Sequence, residues 1–287
     1  MEQERVTFRY PGKGFVPEGT LCADMHFHTH YSDSYTSIKD AVDLARKKGI
    51  GLAVTDHNLI GGSLEALKMA KEDGLFVVPG IEISSWDGPH ILVYFYSADE
   101  MKEYWTKNVF PYIHKSRWLA IDKGTEWILD SLEDVNCVVS GAHPLGYLAS
   151  IKGVQKAIDN GRLPKDIGGR FDAYEVICSG MFRSENLRAI KCANQYGIGY
   201  TGGSDGHMLH ELGRVVTMQE ADDLDGFLTG ILKQTNYVIG KEKNIPDKIA
   251  MAMASVSRFA TSCMPSSIQR KAQLLVHHGT HNYPGKD

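Results

Sequence analysis

The sequence is short of everything that would carry it into a membrane or hold it together by covalent cross-links. Across its 287 residues there is no run of ~18 apolar residues, the length a membrane-spanning helix needs. The opening stretch, MEQERVTFRYPGKGF, is polar and lacks the apolar core of a secretory signal. Cysteine is sparse. Cys22, Cys137, Cys178, Cys192 and Cys263 are scattered, odd in number and form no C-x-x-C, which excludes a zinc ribbon or a disulfide framework and fits free thiols in a reducing cytoplasm. No internal repeat, low-complexity tract or long linker breaks the chain. Positive charge is scarce outside one end. Residues 241–287 carry seven Lys/Arg against three Asp/Glu, net +4, which leaves residues 1–240 with 24 against 32, net −8. A body this acidic is a poor general surface for polyanions, so a phosphate substrate would have to be drawn by local charge.

What is present is an alternation of short apolar runs with helix-like stretches. LCADMHF, IGLAVTDH, LFVVPGIEIS, HILVYFYS, NCVVSGAH, AYEVICS, IGYTGGS, RVVTM and TNYVIG read as strands. SIKDAVDLARKKG reads as a helix with Ser37 as N-cap and Gly49 as its stop. GSLEALKMAKEDG, residues 115–132, residues 152–160, SENLRAIKCANQYG and DDLDGFLTGILKQ complete the helices. Strands alternating with helices predict βα units, a mainly parallel sheet and an α/β barrel with its active site at the strand C-terminal ends. Residues 1–240 are expected to form that domain. From Lys241 a helical extension and a Pro/Gly tail are expected, with Ile249, Met253, Val256 and Ala260, then Ile268, Ala272 and Leu275, at helical spacing. Such stripes dock on their own domain or on a second copy of the chain, as a homodimer.

Histidines and carboxylates gather at those strand ends. In ADMHFHTHYSDS, strand alternation turns His26 and His28 to one face, and Asp33 follows in the next loop. An H-x-H alone reads equally well as two hydrogen-bonded neighbours. AVTDHN ends in Asp56-His57, and VVPGIEIS buries Glu82 in an apolar strand, where a carboxylate is costly unless paired or metal-bound. His90 opens HILVYFYS, His143 closes VVSGAH, and GGSDGH sets Asp205 and His207 two apart. No single one of these motifs is specific. Together they are nine potential ligands without a thiolate, a set that suits Zn, Mn, Fe or Co.

HFHTHYSDS, TDHN, GIEIS, GPHILVYF, AHP, YEVICSG and GGSDGHMLHELG together resemble the PHP (polymerase and histidinol phosphatase) superfamily, and more closely its small stand-alone phosphoesterases, over about residues 20–240. The resemblance implies a distorted (β/α)7 TIM-like barrel with two or three metals. Carried over by position, it implies one ion on His26, His28, Glu82 and Asp205, a second bridged by Glu82 to His90 and His143, and a third on Asp33, His57 and His207. It further implies a metal-dependent phosphatase or phosphodiesterase in which a metal-bridging hydroxide attacks phosphorus, with Glu82, Asp205 and His207 central to catalysis. Three carboxylates, three divalent ions and a hydroxide would leave the site near about +2, matched to a phosphate dianion.

The remaining candidates carry competing readings. His30 extends the motif to H-x-H-x-H and is a candidate substrate contact or a plain loop histidine. Arg183, after YEVICSG, is the candidate phosphate contact or a surface arginine at a helix start. Asp56 is expected to orient a ligand rather than serve as one. His210 is a candidate cap for the loop after Asp205, while His114, His277, His278 and His281 read as surface or tail residues. Some relatives acting on nucleoside phosphates carry an Arg shortly after His-Pro. Here HPLGYL has none, which points away from that class. The expected substrate is a small phosphomonoester or cyclic phosphodiester. The alternative is a 5′- or 3′-exonuclease on short oligonucleotides, with the basic tail guiding the strand.

Overall fold

The computed structural model describes residues 5–12, 14–71, 74–114, 120–147, 152–250, 253 and 257. The strands are β1 (Val6–Thr7), β2 (Thr20–Phe27), β3 (Gly51–Val54), β4 (Val77–Ser84), β5 (His90–Phe95), β6 (Cys137–Gly141), β7 (Ala173–Cys178), β8 (Gly199–Gly203), β9 (Val215–Glu220) and β10 (Tyr237–Gly240). They form one sheet in the order β1-β10-β9-β2-β3-β4-β5-β6-β7-β8. β2, β3 and β4 run parallel, as do β6, β7 and β8, while β5 is antiparallel to both its neighbours and β9 is antiparallel to β2 and β10. The sheet curls into a distorted TIM-like barrel, closed where Phe27 at the end of β2 bridges Gly206 just beyond β8.

The helices are α1 (Ile38–Lys48), α2 (Gly61–Ala70), α3 (Ala98–Tyr104), α4 (Thr125–Asp130), α5 (Val154–Asp159), α6 (Arg183–Tyr196) and α7 (Leu224–Leu232). Ser37 caps α1 by accepting from Asp40 N, and Gly49 ends it at φ 66°, as its sequence predicts. The connection between β5 and β6 departs from expectation. Instead of one helix over 115–132, α3 is followed by a π turn (Trp105–Val109) and a 3-10 turn (Phe110–Tyr112), and α4 starts only after Gly124. Ser97 starts α3 by accepting from Glu100 N while its hydroxyl donates to the Glu100 carboxylate, a signal visible as S-x-x-E.

One irregularity in β2 sets up the site. Ala23 and Asp24 pair with Gly51 and Leu52, but Phe27 pairs with Val54, so β2 holds one residue more than β3 over this stretch. Before the bulge, Ala23 and Met25 join Ala53, Val78, Leu92, Tyr94 and α7 residues Phe227, Leu228 and Ile231 in one apolar cluster. Cys22 packs outside with α1. After the bulge the phase inverts: Phe27 joins the α1 cluster and His26 and His28 take the other face. Beyond β10, Lys243 is buried and Lys248 packs on Phe182, while Ile245, Ile249 and Met253 are exposed. The apolar positions Val256, Ala260, Ile268, Ala272 and Leu275 lie outside the described residues. So do Cys263, His277, His278 and His281.

Candidate metal centre

All nine sequence-derived positions converge on one rim of the barrel. His26 sits in β2 and His28 just past it, with Asp33 in the following loop; His57, His143 and Asp205 follow β3, β6 and β8. His90 opens its strand rather than closing it, because β5 runs antiparallel and Ser84 at the end of β4 pairs with His90. Among the described residues they make four overlapping groups able to surround an ion: His26–His28–Asp205, His26–Glu82–His143, His57–Glu82–His90, and His28–Asp33–His57–His207.

Glu82 is the hub. Its Oε1 lies 3.4 Å from His26 Nε2, 3.1 Å from His90 Nδ1 and 3.2 Å from His143 Nε2. Its Oε2 lies 2.9 Å from His57 Nδ1 and 3.4 Å from His28 Nε2. His26 Nε2 and His28 Nε2 are 3.1 Å apart, and both face Asp205 Oδ1 at 3.5 and 3.2 Å. His207 Nε2 meets Asp33 Oδ2 at 2.9 Å. Metal bonds of ~2.1 Å at near-tetrahedral angles separate ligand atoms by roughly 3.4 Å, so these gaps fit ions between the side chains. Glu82 Oε2 and His143 Nδ1 are buried and take part in no hydrogen bond. A buried carboxylate oxygen among imidazole nitrogens is costly unless positive charge meets it, which either a protonated imidazole such as the His57 ring 2.9 Å away or a metal ion would supply.

The charge states follow from burial against neighbours. Burial pushes Glu82 up, but His57, His90 and His26 overcome it and hold the carboxyl well below the ordinary range. His207 and His57 do the same for Asp33, and His26, His28 and His207 for Asp205, each against its burial. Burial pushes His90 down to about 3, so its imidazole is neutral. Burial would also lower His26, but Glu175, Glu82 and Asp205 reverse it and raise that imidazole well above its usual value.

Several supporting residues escape a reading of the sequence. Glu175, on β7, contacts His26 Nδ1 at 3.1 Å and accepts from His143 N at 2.7 Å, so it orients two histidines from 149 and 32 residues away. Tyr147 donates to Asp205 Oδ2. Asp24, pushed up to about 6 by burial, accepts from the backbone of His26, Ser204 and Gly213. Asp56 stands behind the site: it accepts from Thr29 N and from Ser32 Oγ, which lies 3.4 Å from His28 Nδ1. His210 is exposed, and the loop after Asp205 is capped instead by Glu211, whose Oε2 accepts from His207 N and Met208 N. His30 packs at a tilt against Tyr31 with ring centroids 4.8 Å apart and belongs to none of the four groups. His114 is exposed. Arg183 gives both arms of its fork to Glu242, at 2.5 and 2.8 Å, and stacks on Phe8, so it is committed to the segment beyond β10. Lys152, exposed, lies close enough to His90 to lower its proton affinity.

A curled α/β barrel with a cluster of histidines and carboxylates at one rim defines a class of metal-binding domain. The chain belongs to the PHP domain family, whose profile matches residues 24–239. Over 78 residues it is 41% identical to an uncharacterized protein of Methanocaldococcus jannaschii, covering 23% of this chain and 46% of that one. Over 67 residues it is 40% identical to a 5'-3' exoribonuclease of Haemophilus influenzae (23% of this chain, 24% of that one). Over 65 residues it is 37% identical to a 3',5'-nucleoside bisphosphate phosphatase of Chromobacterium violaceum (22% and 23%). The chain therefore matches less than half the length of each of these relatives. Its fold matches a two-domain Bacteroides vulgatus protein containing a predicted PHP-like metal-dependent phosphoesterase, at TM-score 0.58 and 15% identity, over 88% of this chain and 74% of the other.

Proposed function

We propose that this protein is a metal-dependent phosphoesterase that hydrolyses small phosphomonoesters or cyclic phosphodiesters at a trinuclear site. The observation that carries this reading is the Glu82 carboxylate, fully buried and within 3.4 Å of five imidazoles. His26, His28 and Asp205 would hold one ion, with Glu82 shared between it and a second ion on His90 and His143. Asp33, His57 and His207 would hold the third. Bound divalent ions supply a water acidic enough to ionise near pH ~7 and neutralise charge on the phosphoryl oxygens.

The chain's own residues divide the remaining work. Glu175 fixes the His26 ring so that Nε2 faces the cluster, as Asp205's carbonyl does for His207 through Nδ1 at 3.1 Å. His26, His28 and Glu82 are sealed, whereas Asp33, His57, His90 and His207 keep a few per cent of their surface exposed. Substrate would approach over that second set, beside the exposed Lys152, whose backbone carbonyl accepts from His90 N at 2.9 Å.

Two of the three named sequence relatives favour phosphate esters of nucleosides or RNA, and the exoribonuclease supports the exonuclease reading as the alternative. Phosphate release from sugar phosphates, nucleotides, nucleoside bisphosphates, cyclic phosphates and short oligonucleotides separates the two. Turnover confined to oligonucleotides would overturn the small-substrate reading.

A further inference from the structure

A lysine side chain with no exposed surface is costly unless its charge is matched, and Lys243 is such a residue. It lies beyond the stretch matched by the family profile, in the C-terminal segment that carries the chain's basic excess. Its Nζ donates to the backbone carbonyl of Asp205 at 2.8 Å and pairs with Glu211 Oε1 at 3.0 Å; Glu211 is buried too. Its own backbone N–H is tied to Ser179 O at 2.7 Å, so the ammonium is delivered from a fixed point. The other Glu211 oxygen accepts from the backbone N–H groups of His207 and Met208. Asp205 adopts φ 45°, a left-handed conformation that costs a non-glycine residue energy and persists only where its surroundings enforce it. The carbonyl gripped by Lys243 is also the one that faces His207 Nδ1.

We infer that Lys243 is a positioning residue for the metal centre. Through the Asp205 carbonyl on one side and Glu211 on the other, it holds the 205–208 loop so that Asp205 and His207 present their ligand atoms together. The segment after β10 is thereby part of the working unit. This inference rests on the reading of the cluster as a metal site.

The test is Mn2+ affinity of the full chain by chelator competition, with the metal-free melting temperature read in parallel. In Lys243→Met, Mn2+ affinity should fall ~10–100-fold, the usual cost of losing a group that orients ligands. Lys248→Met is the comparison. It removes a half-buried tail contact, to Met181 O and the Phe182 ring, without touching the loop, and should lower only the melting temperature. Because Lys243→Met strands the Glu211 charge, Lys243→Met/Glu211→Gln is measured as well; it should fold and still bind Mn2+ weakly. Wild-type affinity in either folded variant overturns the inference, and so does an unfolded double variant, which would make the pair a core element rather than a site element. Wild-type protein that binds no Mn2+ at all would instead sink the metal-site reading itself.

Discussion

At the scale of single residues, Glu82 concentrates the functional argument. Five imidazoles surround one carboxylate, so its loss should affect two ions at once. Glu82→Ala is expected to lower turnover by on the order of 10³-fold or more while the barrel still folds. Near-normal turnover in a folded variant, assayed on the best substrate of the panel, would reduce Glu82 to a structural carboxylate. His26 supports a second expectation. Glu175, Glu82 and Asp205 outweigh its burial and raise its proton affinity well above the usual range, so the metal-free protein carries a proton there at pH 7. A metal ligand must be unprotonated, so loading should release that proton. Metal titration in weak buffers of different ionisation enthalpy counts it, and no release at pH 7 would contradict the assigned charge state.

At the scale of elements, Gly203 tests how β8 meets β2. A Cβ on Gly203 would stand 2.3 Å from His26 Cβ and 2.5 Å from His26 N, atoms that have no room to retreat. Gly203→Ala should cost about 1–3 kcal/mol by overpacking and should weaken metal binding as well. Ser37→Ala, removing the α1 cap on the outer layer, should cost about 1 kcal/mol and leave metal binding alone. Denaturant melts with and without Mn2+ separate the two. These contrasts bear on what the sequence could disclose. The strand–helix alternation, the α1 caps and the nine rim residues were legible because each is a local pattern. Alternation also put His26 and His28 on one face, but which face depends on the extra residue in β2, and a bulge has no local signature there. Glu175, Tyr147 and Lys243 were missed because their partners lie 149, 58 and 38 residues away. The α3 start was missed although its S-x-x-E signal was in view.

At the scale of the whole molecule, charge and packing give different advice about the tail. By charge alone, residues 241–287 look removable, since the rim belongs to the barrel. Packing says otherwise: Lys243 enters the site, Glu242 occupies Arg183, and Asp247 pairs with Arg214 at 2.5 Å. Truncation after Gly240 should therefore weaken Mn2+ binding, whereas truncation after Ala250 should spare it and hydrolysis of small substrates. If the enzyme is instead an exonuclease, the shorter cut removes Arg258, Arg270, Lys271 and Lys286, and oligonucleotide binding should lose affinity and salt sensitivity. The exposed strip of Ile245, Ile249 and Met253 favours a homodimer through this segment, which light scattering of the full chain would register. The barrel's closure has a last consequence. The end of β2 meets the end of β8 where His26 and His28 face Asp205, so an ion shared by them would fasten the cylinder like a rivet through overlapping sheet metal. Loading is then an assembly event as much as a catalytic one, and amide exchange around residues 24–28 and 199–207 should slow together when metal is added and quicken together when it is withdrawn.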